Sequence, residues 1–262
     1  MTSRAVAALK AADLILCEDT RVTARLLTYF DIRARSIPLH DHNEDGRIVQ
    51  VLDMLRQGQR IALVSDAGTP LVSDPGFRLV RAVLAAGLPV NALPGPNAAL
   101  LALILSGLPP HPFLFLGFPP PRQAARRTTL AGLRAAERAG LRATLIWYEA
   151  PHRIAETLAD VAEVLGDRQV AVGRELTKRF EETIRGAAAA LAARFAAEPP
   201  RGEITLVVAP AEDEETDSAD LDTLLRAALA AHSLKEAVAR VTAATGLPRK
   251  QVYARALALA GG

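Results

Sequence analysis

Apolar positions along the chain follow two rhythms. Apolar, β-rich runs at residues 14–17, 61–65 and 90–93 are each bounded by a turn signal and read as strands. Between them, at 21–30, 44–57 and 77–86, apolar residues return every three or four positions and predict helices. Strand–helix alternation with short connections implies parallel strands with helical crossovers. A proline-rich hinge follows, Pro109, Pro110 and Pro112, then Pro119, Pro120 and Pro121, enclosing a short apolar strand candidate at 113–118. Beyond it comes a second α/β set. Helices are expected at 122–138, 154–165 and 187–197, the last stopped by Gly186 and Pro199. Strands are expected at 143–148, 169–172 and 204–208.

The rhythm changes again in the tail. Ser233 and Glu236 form a capping-box pattern, followed by Leu234, Ala237, Val238 and Val241 at helical spacing. Residues 245–248 (TGLP) end that helix and start another over 249–257, with Arg249 and Lys250 at its head. The pattern admits a helix-turn-helix, although it favours a plain helical hairpin packed on the main body. The expected organisation is therefore an α/β domain over 1–110, a second over 111–210, and a small helical module over 219–262.

The 262 residues are 50% apolar and 23% charged, an ordinary globular composition that excludes a disordered chain, a collagen and a disulfide scaffold. The single cysteine, Cys17, forms no intrachain disulfide and fits a reducing compartment. The most apolar stretch, 98–116, is interrupted by Gly107, Pro109, Pro110 and Pro112, so no membrane span is expected. With no signal peptide at the start, the expectation is a soluble cytoplasmic protein. The net charge of +2 conceals a pattern. Seven carboxylates crowd residues 211–222, a linker candidate, whereas 121–153 holds seven arginines against two acids and 223–262 holds six bases against one. Two basic regions around an acidic linker suit a polyanionic partner, and equally suit solvated helix faces. Arg126 and Arg127 are neighbours on one helix, so both cannot face such a partner equally.

The signatures of dinucleotide-binding Rossmann enzymes, P-loop NTPases, zincins and α/β-hydrolases are all missing. His40-Asp41-His42, with Asp45 nearby, reads as a solvated loop, and no metal is expected. Three loops stand out because each follows a strand, where open α/β sheets place ligands. Cys17-Glu18-Asp19-Thr20-Arg21 gathers two carboxylates, a hydroxyl and a guanidinium; Asp19 or Thr20 would also cap the next helix. The stretch SDAGTPLVSDPG at 65–76 is dense in small and turn-forming residues and longer than a strand–helix connection needs. Gly68 and Gly76 in it permit positive φ and close backbone approach to a polar ligand. LPGPNA at 93–98 makes a rigid turn in which Asn97 could cap a helix. YEAPHR at 148–153 and RELTKRFEE at 174–182 add polar clusters at strand ends in the second domain.

EDTR at 18–21, SDAGTPLVSDPG, LPGPNA, YEAPHR, RELTKRFEE and RGEITLVV at 201–208, all in this order, resemble the tetrapyrrole methylase superfamily. The likeness runs from about residue 4 to 210. It is nearest to the branch that methylates a cytidine ribose 2′-hydroxyl in 16S rRNA of the small ribosomal subunit. The resemblance implies a homodimer and S-adenosylmethionine, folded and held largely by backbone groups in a cleft between two α/β domains. Asp66, Ala67, Gly68, Thr69, Pro70, Val72, Pro96, Asn97 and Ala98 would line that pocket, and Tyr148 and Glu149 would close it. Glu18, Asp19 and Glu149 are then the candidate proton acceptors, and Lys178 or Arg174 would stabilise alkoxide charge. Arg122, Arg126, Arg127, Arg249 and Lys250 would meet RNA phosphates. Members of the superfamily begin with a strand and a T-P-I-G-N-L-type loop ahead of the helix that opens here at Ser3, so a start upstream of Met1 is expected. Two other readings compete: methylation of a small tetrapyrrole such as a cobalamin precursor, and a noncatalytic RNA-binding protein. The basic regions and the EDTR and YEAPHR motifs weigh against the first, the cofactor loops against the second.

Overall fold

The four apolar residues Leu14–Cys17 form β1, buried throughout at the centre of a three-stranded parallel sheet. This computed structural model describes residues 1–212, 218–245 and 249–260. By its internal packing the chain divides into two units, Met1–Leu101 and Ala102–Gly262. In the first unit α1 (Ser3–Lys10) precedes β1, and α2 (Thr20–Tyr29), β2 (Arg35–Pro38), α3 (Glu44–Arg56), β3 (Ile61–Leu63) and α4 (Phe77–Ala85) follow. Helix α5 (Ala98–Ser106) spans the division. The strand order is β2-β1-β3, and both ladders are parallel. Alternation along β1 feeds two cores. Leu14 and Leu16 pack with Ile37, Val51, Leu79 and Val83, while Ile15 packs with Leu9, Leu27 and Ile32 on the other face.

Two features depart from the sequence pattern. The apolar run at 90–93 forms no strand: β3 pairs only with β1, and Val90, Asn91 and Ala92 are exposed. An apolar run becomes a strand only where a partner edge accepts its backbone groups. Conversely, β2 forms from Arg35-Ser36-Ile37-Pro38, where only Ile37 is buried and periodicity offers little signal.

The second unit continues with β4 (Phe113–Phe115), α6 (Gln123–Arg138), β5 (Thr144–Glu149), α7 (Ile154–Leu165), β6 (Gln169–Arg174), β7 (Glu182–Ala187), α8 (Ala188–Ala197) and β8 (Ile204–Val208). Its sheet order is β4-β5-β8-β6-β7. Only β4 and β5 run parallel; β8 lies antiparallel between β5 and β6, and β7 antiparallel to β6. The parallel strands expected in the first unit are present, and the second unit's sheet is mixed. Here β6 and β7 follow one another without an intervening helix, which favours antiparallel pairing. Leu145, Trp147, Leu158, Val161, Val172, Leu191 and Leu206 form the core between this sheet and helices α7 and α8.

Helices α9 (Ser218–Ala231), α10 (Leu234–Thr245) and α11 (Arg249–Ala260) complete the unit. Leu221, Leu225, Val238, Val241, Val252 and Ala256 form their own cluster. The capping box is present: the Ser233 hydroxyl donates to Glu236 Oε2 at 2.8 Å and accepts from the Glu236 amide at 3.4 Å. Part of the acidic linker, 213–217, and the turn residues 246–248 lie outside the described residues. No described helix is long and apolar enough to cross a membrane.

Candidate functional site

Three loops meet at the C-terminal end of the first sheet. The Asp19 carboxylate caps α2 by accepting the Arg21 amide at 2.8 Å, and it also holds the Arg21 guanidinium at 2.6 Å. Arg21 thereby lowers the Asp19 pKa to about 2. The Asp19 amide donates to Asp66 Oδ1 at 3.3 Å, linking the first loop to the second. The Thr69 hydroxyl donates to the Pro96 carbonyl at 2.9 Å, linking the second to the third. Asn97 Oδ1 accepts the Leu100 amide at 3.1 Å, capping α5.

The second loop is held in an unusual shape. Gly68 and Gly76 have φ of 87° and 120°, as glycines can, but Leu71 and Ser73 also lie at 71° and 65°. A bulky L-residue pays steric strain there, and such strain collects at ligand sites. At Gly76 a Cβ would also stand 2.5 Å from Leu63 Cδ2, so another residue would have to displace that side chain besides adopting the positive φ. Within the loop one backbone pair is recorded, the Val72 amide to the Thr69 carbonyl. The Ser65 hydroxyl is buried without a hydrogen-bond partner. Asp66, Ala67 and Gly68 are exposed, and Gly68 would meet only the Pro96 carbonyl, 3.9 Å from a Cβ. Exposed amide and carbonyl groups, one carboxylate and an orphaned hydroxyl suit a zwitterionic nucleoside ligand such as S-adenosylmethionine. Asp66, Ala67, Gly68, Thr69, Pro70, Val72, Pro96, Asn97 and Ala98 all belong to this one hydrogen-bonded cluster of loops.

In the second unit, Tyr148 is wedged edge-on between Phe115 and Phe118, with ring centres 4.9 and 5.7 Å away. Its neighbour Glu149 was a candidate proton acceptor, and the structure corrects that expectation. The side chain is fully buried. One oxygen accepts the Ala150 amide at 2.7 Å and Arg153 Nε at 2.8 Å, with Arg153 Nη2 on the same atom; the other accepts the Thr157 hydroxyl at 2.5 Å. A carboxylate so surrounded by donors fixes the turn into α7 and has no exposed lone pair for a substrate proton.

Lys178 and Arg174 are also committed. Lys178 bonds Glu175 at 3.0 Å and Glu203 at 2.9 Å. Burial would lower its pKa, but the bonds to Glu203 and Glu175 outweigh burial and raise it. Arg174 pairs with Glu182 at 3.0 Å. Neither is placed as a free cation for alkoxide charge. Glu18, half-buried at the end of β1, forms no hydrogen bond or ion pair among the described residues.

The basic candidates separate sharply. Arg126 is fully buried and bonds Asp160 at 2.6 Å, so it has no face for a phosphate. It shares the α6 stripe of Leu130 and Glu137, which points into the protein. Arg127 bonds Asp160 at 2.7 Å and also pairs with Glu163. For Asp160, burial raises the pKa, but hydrogen bonds from Arg127, Arg126 and Gln123 outweigh it and hold the pKa below the usual value. Arg122, Arg249 and Lys250 are exposed. Sequence reasoning missed Ser65 and the left-handed Leu71 and Ser73, which leave no compositional mark. It also missed Arg153 and Thr157 as partners of Glu149, although their spacing of four along the start of α7 announces them.

Comparison with known proteins fits this geometry. The tetrapyrrole (corrin/porphyrin) methylase family profile matches residues 1–192, and an RsmI C-terminal HTH domain profile matches 215–260. Ribosomal RNA small subunit methyltransferase I of Micromonospora olivasterospora is 47% identical, over 97% of this chain and 80% of its own. The protein of the same name from Escherichia coli O157:H7 is 43% identical over 98% of this chain and 90% of its own. Among solved structures, the methyltransferase CobJ aligns at a TM-score of 0.58 and 21% identity, over 80% of this chain and 88% of that one. A diphthine synthase aligns at 0.59 and 12%, over 80% and 84%. At these identities the structures speak for the fold alone. The profile over 1–192 and the near-full-length relatives place the chain in the tetrapyrrole methylase family.

Proposed function

We propose that this chain methylates the ribose 2′-hydroxyl of a cytidine in 16S rRNA of the small ribosomal subunit, using S-adenosylmethionine. The observation that carries this reading is the continuous likeness through both the methylase part and the C-terminal helical module to proteins named ribosomal RNA small subunit methyltransferase I. Bound S-adenosylmethionine supplies an electrophilic methyl group on a sulfonium centre. The chain's task is to align the hydroxyl and exclude water. Asp66 to Val72 and Pro96 to Ala98 hold the cofactor, mainly through backbone groups. Arg122, Arg249 and Lys250 are the exposed cations that meet phosphates. A homodimer is supported by the exposed Leu100 and Ile104 on α5, apolar surface that a second copy would cover. The place of action is the cytoplasm, where ribosomal subunits are made.

For the proton acceptor, Glu18 fits best. Asp19 is tied to Arg21 with its pKa lowered to about 2, and Glu149 is sealed by donors. Glu18 is uncommitted and stands beside the cofactor loops. The test uses small ribosomal subunits and labelled S-adenosylmethionine in single-turnover kinetics. Glu18→Gln should slow methyl transfer about a hundred-fold and flatten its pH profile while both ligands still bind. A retained rate and profile would remove Glu18 from the role. Labelling of a tetrapyrrole in place of rRNA would overturn the substrate.

A further inference from the structure

We propose that the loop between β6 and β7 carries a stacking platform for one unpaired base of the RNA, formed by Phe180, with Arg179 and Arg201 receiving adjacent phosphates. The proposal rests on the RNA reading above and names a contact within it.

Phe180 is 62% exposed, although the loop that carries it is firmly pinned. The Glu175 amide donates to the Glu203 carbonyl at 3.0 Å, and the Glu203 amide returns to Glu175 Oε1 at 2.9 Å. Lys178 bridges Glu175 and Glu203, and the Thr177 amide donates to Glu181 Oε2 at 2.6 Å. Glu175 and Thr177 sit at φ of 49° and 66° to make these bonds possible. A loop so fixed holds its aromatic ring outward instead of letting it fold back onto apolar surface.

The local charges are unequal in their commitments. Glu175, Glu181 and Glu182 are all used, by Lys178 and the Glu203 amide, by the Thr177 amide, and by Arg174. Arg179 instead lies with its guanidinium carbon 5.5 Å from the Phe180 ring centre, and it forms no ion pair among the described residues. Arg201, likewise without a described ion pair, stands at the base of the loop. Its neighbour Gly202 touches Glu175 so closely that a Cβ would lie 2.5 Å from Glu175 Cγ. The loop thus offers a preorganised exposed ring beside uncommitted positive charge. Single-stranded nucleic acids are bound by that combination, bases stacking on aromatic faces while cations track the backbone.

Phe180→Trp supplies a reporter, because the one native tryptophan, Trp147, is buried. Titration with a short single-stranded oligoribonucleotide should quench its emission, with the midpoint rising with salt. Phe180→Ala should raise the KM for small ribosomal subunits about ten-fold with kcat and S-adenosylmethionine affinity nearly unchanged, and Phe180→Tyr should restore it. Unquenched emission, or an unchanged KM in Phe180→Ala, would overturn the proposal. So would a change confined to self-association in sedimentation, which would assign the ring to a contact between copies. If the wild-type chain methylates no rRNA, the functional reading fails, and the oligoribonucleotide titration still decides whether Phe180 stacks on a base.

Discussion

The loops of the first unit and the charged clusters of the second make opposite use of polarity. Around Gly68 and Pro96, side chains serve mainly to tie loops together, through Asp19 to Asp66 and Thr69 to Pro96, while backbone groups stay open. Around Arg126, Asp160, Glu149 and Arg153, charged side chains abound, and nearly every donor and acceptor is consumed internally. Residue types that look catalytic by their charge are here the ones that hold the second unit together. Small residues with little chemistry of their own leave room for a ligand.

The sharpest way to break this contrast is at Asp160. Asp160→Ala leaves Arg126 buried without its carboxylate and should cost about 3–5 kcal/mol in denaturant unfolding. The pH dependence has a defined sign. Because the native pKa is depressed, the stabilisation is complete above the ordinary carboxylate value of about 3.9 and fades as pH falls through the native one. Wild type and Asp160→Asn should therefore differ at neutral pH and converge in strong acid.

Gly68→Val tests the other side. At φ of 87° a β-branched residue is strained by roughly 1–2 kcal/mol, and its side chain would occupy the surface assigned to the cofactor. Calorimetry should show S-adenosylmethionine binding weakened at least about ten-fold in a folded protein. Unchanged affinity would move the cofactor away from this loop. Glu149→Gln sharpens the contrast with no expected effect on the chemistry itself. It should lower stability by about 1–3 kcal/mol by disturbing a saturated set of hydrogen bonds, yet leave the pH profile of methyl transfer in place. A flattened profile would return Glu149 to the chemistry.

The elements easiest to read in the sequence were those whose packing is periodic. Helix α7 and strand β8 fall where the apolar pattern puts them, because one face or a continuous run is buried. Strands β2 and β7 carry polar and charged residues, so their pairing depends on neighbours distant in sequence. The position of β8 between β5 and β6 is likewise a long-range choice that no local period encodes. The candidate site divides in the same way. Glycines and prolines mark the cofactor loops openly, whereas the fate of a charge depends on its phase. Arg126 lies four residues before Leu130 on the buried stripe of α6, whereas Arg122 stands at the N-cap, outside the helix, and stays exposed.

The central position of β8 also sets an order of events as the chain is made. Strands β4, β5, β6 and β7 all leave the ribosome before residues 204–208 do. Until β8 emerges, the second unit consists of two separate pairs, each with an inner edge whose amides and carbonyls await the missing strand. Such edges recruit other strands. A chain cut short before residue 204 should therefore aggregate through these edges, while one ending after Val208 can close its sheet.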